Sequence, residues 1–222
     1  CEAADRLEKA EDFETAVHDL IKEYMTEHQR IIFNGNGYSD EWVVEAEKRG
    51  LPNIKSMIEA ASTLTSEKAV ALFEKFGIYT KAELESREEI IYETYAKTIN
   101  IEALTMIDMA GKQIIPAVVK YTKTLADTAN AIKAAGGDAS VQTELLADVS
   151  TKLAAMQKEL NKLVADEKEA SAMEDVKAQA FFYKDTIKAT MDELRKPADE
   201  LEMIVDKDVW PIPTYGELMF EV

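Results

Sequence analysis

In the second half of the chain, apolar residues recur at helical spacing. Leu104, Gly111, Val118, Leu125 and Ile132 fall seven apart, and Ile107, Ile114, Tyr121 and Thr128 follow the first four by three. This a/d spacing lays one stripe along one helix face. At 1.5 Å rise per residue the stripe runs roughly 45 Å, more than a lone helix can hide. Two more stripes follow downstream, one of Leu146, Val149, Leu153, Met156, Leu160 and Leu163, the other of Ala180, Ile187, Leu194 and Leu201. Three long apolar stripes joined by short polar turns predict an antiparallel helical bundle.

The first half reads as shorter pieces. Leu7, Phe13, Val17, Leu20, Tyr24 and His28 predict one amphipathic helix from Ala3 to His28. Next comes Arg30-Ile-Ile-Phe-Asn-Gly-Asn-Gly-Tyr-Ser-Asp-Glu-Trp42, whose two Asn-Gly pairs predict positive φ and a sharp turn. Ser39 or Asp40 caps a helix over 41–49, ended by Gly50 and Pro52. Short helices follow near 54–61 and over 66–76, the second stopped by Gly77, and Thr80-Lys81-Ala82-Glu83 is a capping box. Pro116 should kink the long helix without ending it, because the stripe resumes at Val118. Gly111 on the stripe points to a close helix approach. Gly136-Gly137-Asp138 makes the first bundle turn, a second helix spans about 140–168, and a capping box at Ser171-Ala172-Met173-Glu174 opens the last. That helix reaches about Val205, kinked at Pro197. Trp210-Pro-Ile-Pro-Thr-Tyr-Gly216 should run extended. The fold expected is all-α: 1–86 as N-terminal helix, Asn-Gly loop and short helices, 87–206 as the long-helix bundle, and 207–222 as an extended aromatic and Pro tail.

Composition narrows the chemistry. With 222 residues, 46% hydrophobic and 31% charged, the chain is globular. A chain of this length buries roughly 70% of its unfolded surface, enough for a core without metals or disulfides. The net charge of -17 is spread along the chain, which argues against nucleic acid and anionic membranes as partners. Cys1 is the single cysteine, so neither an intrachain disulfide nor a thiolate metal site is expected, and a reducing compartment fits. No run approaches the roughly 20 apolar residues of a membrane span. An opening of Cys-Glu-Ala-Ala in helical register without Met reads as a piece of something longer.

Candidate chemistry is sparse. His18 and His28 are the only imidazoles, ten apart on one helix, and read as core or surface residues. Glu-x-x-His, the spacing of bundle di-iron sites, does not occur. Asn34-Gly35-Asn36-Gly37 lacks the Lys of a phosphate loop. It reads first as a structural turn, with an interface or active-site-gating contact and nucleotide binding as the other readings. Met106, Met109, Met156, Phe181, Tyr183 and Met191 read as core.

At Arg30 to Trp42 and the following EAEKRGLPN the sequence resembles the end of type III glutamine synthetases, the long-chain class. The resemblance continues through 98–109 and 114–118, and closes with 192–194, 198–202 and Trp210-Pro-Ile-Pro-Thr-Tyr-Gly216. Pro197 departs from the helix-favouring residue expected there. The resemblance implies a cytoplasmic ATP-dependent ligase joining ammonia to glutamate, using Mg or Mn, in large stacked rings. It also implies that the metal- and phosphate-binding residues sit on a β-barrel upstream, so no catalytic, cofactor-binding or metal residue is carried over and this piece by itself is expected to be inactive. Its expected partners are the catalytic domain of the same chain and neighbouring subunits. The loop and interface candidates are Asn34, Gly35, Asn36, Gly37, Tyr38, Asp40, Trp42, Trp210 and Tyr215. The alternative is an independent acidic helical-bundle interaction module without enzymatic activity.

Overall fold

A computed structural model describes residues 1–220. The described residues contain helices and no strand. They fall into two compact units, Cys1–Met57 and Ile58 onward.

The first unit holds α1 (Glu2–Glu8), α2 (Phe13–Glu27), a 3-10 turn at Gln29–Ile31 and α3 (Asp40–Lys48). The single helix expected over 3–28 is therefore two. Asp12 breaks it, its carboxylate accepting the backbone N–H of Glu14 (3.1 Å) and of Thr15 (3.3 Å), and these bonds favour a helix start over continuation. Arg6 folds α1 back on α2 through two bonds to Glu23, at 2.9 and 2.7 Å. Among residues 1–57, Leu20 is the one buried hydrophobic residue.

From Ile58 the second unit takes in the rest of α4 (Met57–Ala61), then α5 (Glu67–Lys75) and three long rods. The first rod joins α6 (Lys81–Met109) to α7 (Ile115–Ala134) through a π turn at Ala110–Ile114. The second is α8 (Ser140–Ser171). The third joins α9 (Val176–Phe182) to α10 (Lys188–Glu202) through a π turn at Tyr183–Ile187. The expected box at Thr80 is present, Thr80 and Glu83 each bonding the other's backbone N–H. Gly50, Gly77 and Gly136 stand at φ of 67°, 63° and 79° and end α3, α5 and α7. The residue after each bonds back to the helix, as Leu51 does to Ala46 O at 2.9 Å, closing the last turn. The expected box at Ser171–Glu174 is not used. Helix α8 runs on to Ser171, and Asp175 caps α9 by accepting Ala178 N–H at 2.6 Å.

Rod α8 packs against α7 and α10. Thr190 bonds Asp166, and Lys152 lies 3.8 Å from Glu200, so α8 and α10 run antiparallel. The core stripe of α8 is Val149, Met156, Leu160 and Leu163. That of the last rod is Ala180, Ile187, Leu194 and Leu201, with Tyr183, Thr190 and Pro197 buried between them. Pro197 lies buried inside α10, and the helix continues past it to Glu202.

The first rod corrects the uniform heptad. One line of its buried residues runs Ala96, Ala103 and Ala110, then Val118 and Leu125, and a second runs from Ile99 to Ile114. The interval from 110 to 118 is eight, not seven. The π turn supplies the extra residue, Ile115 N–H bonding Ala110 O. Pro116 explains its place, since it has no N–H to give the carbonyl four residues back. Upstream of the turn the stripe is one position off the expected register: Leu104 is 45% exposed and Gly111 is exposed. A Cβ on Gly111 would lie 3.6 Å from Leu160, an ordinary contact, so the approach there does not require glycine.

After α10 the chain runs irregularly through the Pro segment and ends in α11 (Tyr215–Phe220), where an extended tail was expected. Thr214 and Glu217 form a capping box, Glu217 accepting Thr214 N–H at 2.8 Å and donating its own N–H to Thr214 Oγ1 at 3.2 Å.

The slipped register has a measurable consequence. Met156→Ala empties a fully buried site and should cost about 2–5 kcal/mol in urea unfolding. Leu104→Ala, which a strict heptad would make equally costly, should cost under about 1 kcal/mol. Equal costs would restore the uniform stripe.

Candidate functional site

The Asn-Gly loop is held by side chains that frame it. Phe33 and Trp42 stack, ring centres 3.9 Å apart and 22° from parallel. The Arg49 guanidinium lies over both rings, at 6.0 and 5.5 Å. Its Nη1 donates to Ile32 O at 2.9 Å and its Nε to Glu45 at 2.7 Å. Arg49 thereby ties the strand-like entry of the loop to α3, and that bond holds the Glu45 carboxylate below its usual range. Arg49 lies outside the loop motif and was not among the sequence candidates.

Inside the loop, Asn36 Oδ1 accepts Tyr38 N–H at 3.0 Å and Asn36 O accepts Ser39 N–H at 3.3 Å. This Asx turn makes the bend. Ser39 then caps α3 by accepting Trp42 N–H at 3.4 Å, and Asp40 is its first residue. The positive φ expected at Gly35 and Gly37 is absent. Gly35 has a different reason: a Cβ there would meet Phe33 Cζ at 2.5 Å. At Gly37 a Cβ would meet nothing within 4 Å. Asn34 is exposed, and Tyr38 at the tip is fully exposed.

The tail candidates belong to the second unit. Trp210 is buried in the core beside Val209 and Ile212, and its Nε1 has no partner among the described residues. Tyr215 receives a hydrogen bond from Arg195, donates one to Asp199 at 3.3 Å, and gives its backbone N–H to Glu202 at 2.9 Å. The Tyr215 bond, then that of Asp199, raises the Arg195 pKa. Lys207 lies 2.8 Å from Glu217, whose pKa falls to about 2 through that bond and Thr214 N–H. Tyr215 and Ile212 wall an apolar pocket of about 510 Å³ with Met106, Met109, Met156 and Met191. Met106 and Met191 pack against the core, Met109 is half-buried, and Met156 lies within the core.

One buried carboxylate was not foreseen. Glu88 on α6 accepts Thr65 Oγ1 and Tyr92 Oη, both at 2.6 Å, and lies 3.4 Å from Lys177. Burial pushes its pKa up, but those bonds and Lys177 outweigh burial and hold it low. Glu88 thus pins α6 to α9 as an anion and is placed as a structural node. The sequence signal was a Glu four before a Tyr on the core side.

His18 and His28 are exposed, on α2 and just after it. Among the described residues no three His, Cys, Asp or Glu side chains converge as a metal site. The cation that clamps the loop, Arg49, is engaged by Ile32 O and Glu45. These residues therefore do not fit ATP or a divalent ion.

The two glycines separate cleanly. Gly35→Val must push Phe33 off Trp42 and should cost about 1 kcal/mol with a change in Trp42 fluorescence. Gly37→Val should leave both unchanged. Equal effects would show that backbone conformation, not the Phe33 ring, selects glycine in this loop.

The family model described as "Glutamine synthetase C-terminal domain" matches residues 16–133, which include the loop, its Arg49 clamp and the π turn. The chain is 39% identical over 214 residues to a glutamine synthetase of Butyrivibrio fibrisolvens, covering 96% of this chain and 31% of that protein. It is 34% identical to a type-3 glutamine synthetase of Dictyostelium discoideum, covering 96% of this chain and 30% of that one. A Bacteroides fragilis glutamine synthetase is 30% identical, with 92% and 29% covered. The chain thus spans about a third of the length of these relatives. No helix among the described residues is long and apolar enough to cross a membrane. With more than half of its residues inside the family match, the chain belongs to the glutamine synthetase C-terminal domain family.

Proposed function

We propose that this chain is the C-terminal supporting region of a longer type III glutamine synthetase, a cytoplasmic enzyme that joins ammonia to glutamate with ATP. In this reading the catalytic barrel, with its Mg or Mn and ATP, belongs to the rest of that chain. The observation that carries the reading is the preorganised loop. Residues 30–42 are fixed by the Phe33–Trp42 stack and the Arg49 clamp, yet present Tyr38 wholly to the outside. A rigid loop ending in an exposed aromatic matches a contact that positions a partner surface. The loop from Asn34 to Asp40 would brace the catalytic domain. The bundle and the Trp210 tail would meet neighbouring subunits, and Leu218, Met219 and Phe220 on α11 are exposed as such a contact needs.

The domain division proposed is 1–86 as the brace, 87–206 as the bundle and 207–222 as the tail; Glu221 and Val222 lie outside the described residues. A second reading, an independent acidic interaction module, draws on the bundle's own closed core of 18 buried residues. The two separate in the longer enzyme. Tyr38→Ala and Trp42→Ala should each lower glutamine formation roughly tenfold or more, or weaken subunit assembly, because small misplacement of a catalytic constellation is costly. Normal rates together with a normal oligomer in both variants would remove the bracing role.

A further inference from the structure

The first unit carries an apolar edge with nothing of its own to cover it. On α2, Phe13, Val17, Ile21 and Met25 follow one another every four residues and so form a ridge roughly 18 Å long. Helix α1 packs against α2, and Arg6 holds Glu23. Even so, Phe13, Ile21 and Met25 remain 61%, 57% and 55% exposed. Val43 and Val44 on α3 are exposed as well. A unit of 57 residues that buries only Leu20 among its hydrophobic residues while exposing this ridge has apolar surface that a folded body of its own would cover.

We infer that the α2 ridge is the seat of the chain segment that precedes Cys1 in the longer enzyme, so that residues 1–57 complete the body of that upstream part. The inference rests on the proposed function above. The occupant follows from two facts. The relatives are about three times as long as this chain, so a large portion of such a protein lies outside these residues. A segment entering through Cys1 is tethered within about a dozen residues of Phe13, which gives it a high effective concentration at the ridge over any free partner. The ridge itself carries no charge along its 13, 17, 21 and 25 positions, so it fits an apolar helix or sheet face rather than a charged partner.

The test places single cysteines at Ile21→Cys and Met25→Cys, with Lys22→Cys on the polar face as control, in the longer enzyme and in the 222-residue chain. Maleimide labelling is read site by site by peptide mass, so Cys1 does not interfere, and glutamine formation is measured on the same preparations. In the longer enzyme the two ridge positions should label at least about tenfold more slowly than Lys22→Cys, independent of protein concentration. In the 222-residue chain all three should label alike. Fast ridge labelling in an active longer enzyme overturns this inference and leaves the proposed function standing. Protection lost on dilution to single subunits overturns it too, assigning the ridge to a neighbouring copy. A longer chain that forms no glutamine removes the proposed function and this inference with it.

Discussion

The second unit depends on one backbone constraint, the N–H that Pro116 does not have. A straight α-helix from Lys81 to Ala134 would leave the carbonyl four residues before Pro116 without its bond and bring the ring against it. The π turn at Ala110–Ile114 absorbs this by widening one turn and bonding Ile115 to Ala110 instead. The price is one residue of register. Along the slipped line the core positions upstream of the turn are Ala96, Ala103 and Ala110, which admit close neighbours; downstream they are Val118 and Leu125. Helix α8 packs against both halves of this rod and against α10, which also touches α6.

That slip marks where the sequence stopped being legible. Helix existence and type followed from periodicity, and helix ends from residues whose mechanism is local: Thr80 with Glu83, and the glycines at 50, 77 and 136. The errors arose where two local signals competed or where the deciding partner was distant. Asp12 was a cap signal hidden in an unbroken stripe, and Asp175 displaced the box at Ser171. Leu104 looked like core because a constant heptad was carried through Pro116. Gly35 was noticed for the wrong reason, since Phe33 crowds it while its φ is ordinary. Arg49 and Glu88 were missed because their partners, Ile32 O and Lys177, lie 17 and 89 residues away. Of the site candidates, Trp42 stacks on Phe33 and Trp210 is buried, while Asn34 and Tyr38 are exposed.

The two units differ in how they satisfy the hydrophobic effect. The bundle closes around its own apolar residues, with Trp210 and Val205 sealing it. The first unit is held instead by polar and aromatic ties, the Arg6–Glu23 pair and the Arg49 clamp, and leaves its large apolar side chains outside.

The most direct test of the account is to read the gene upstream of Cys1 in frame. The account predicts a frame that runs on through a barrel-type synthetase region carrying its glutamate and arginine motifs. A start codon a few residues upstream of Cys1 would contradict it, leaving a small acidic helical protein whose apolar first unit must find its cover in another molecule.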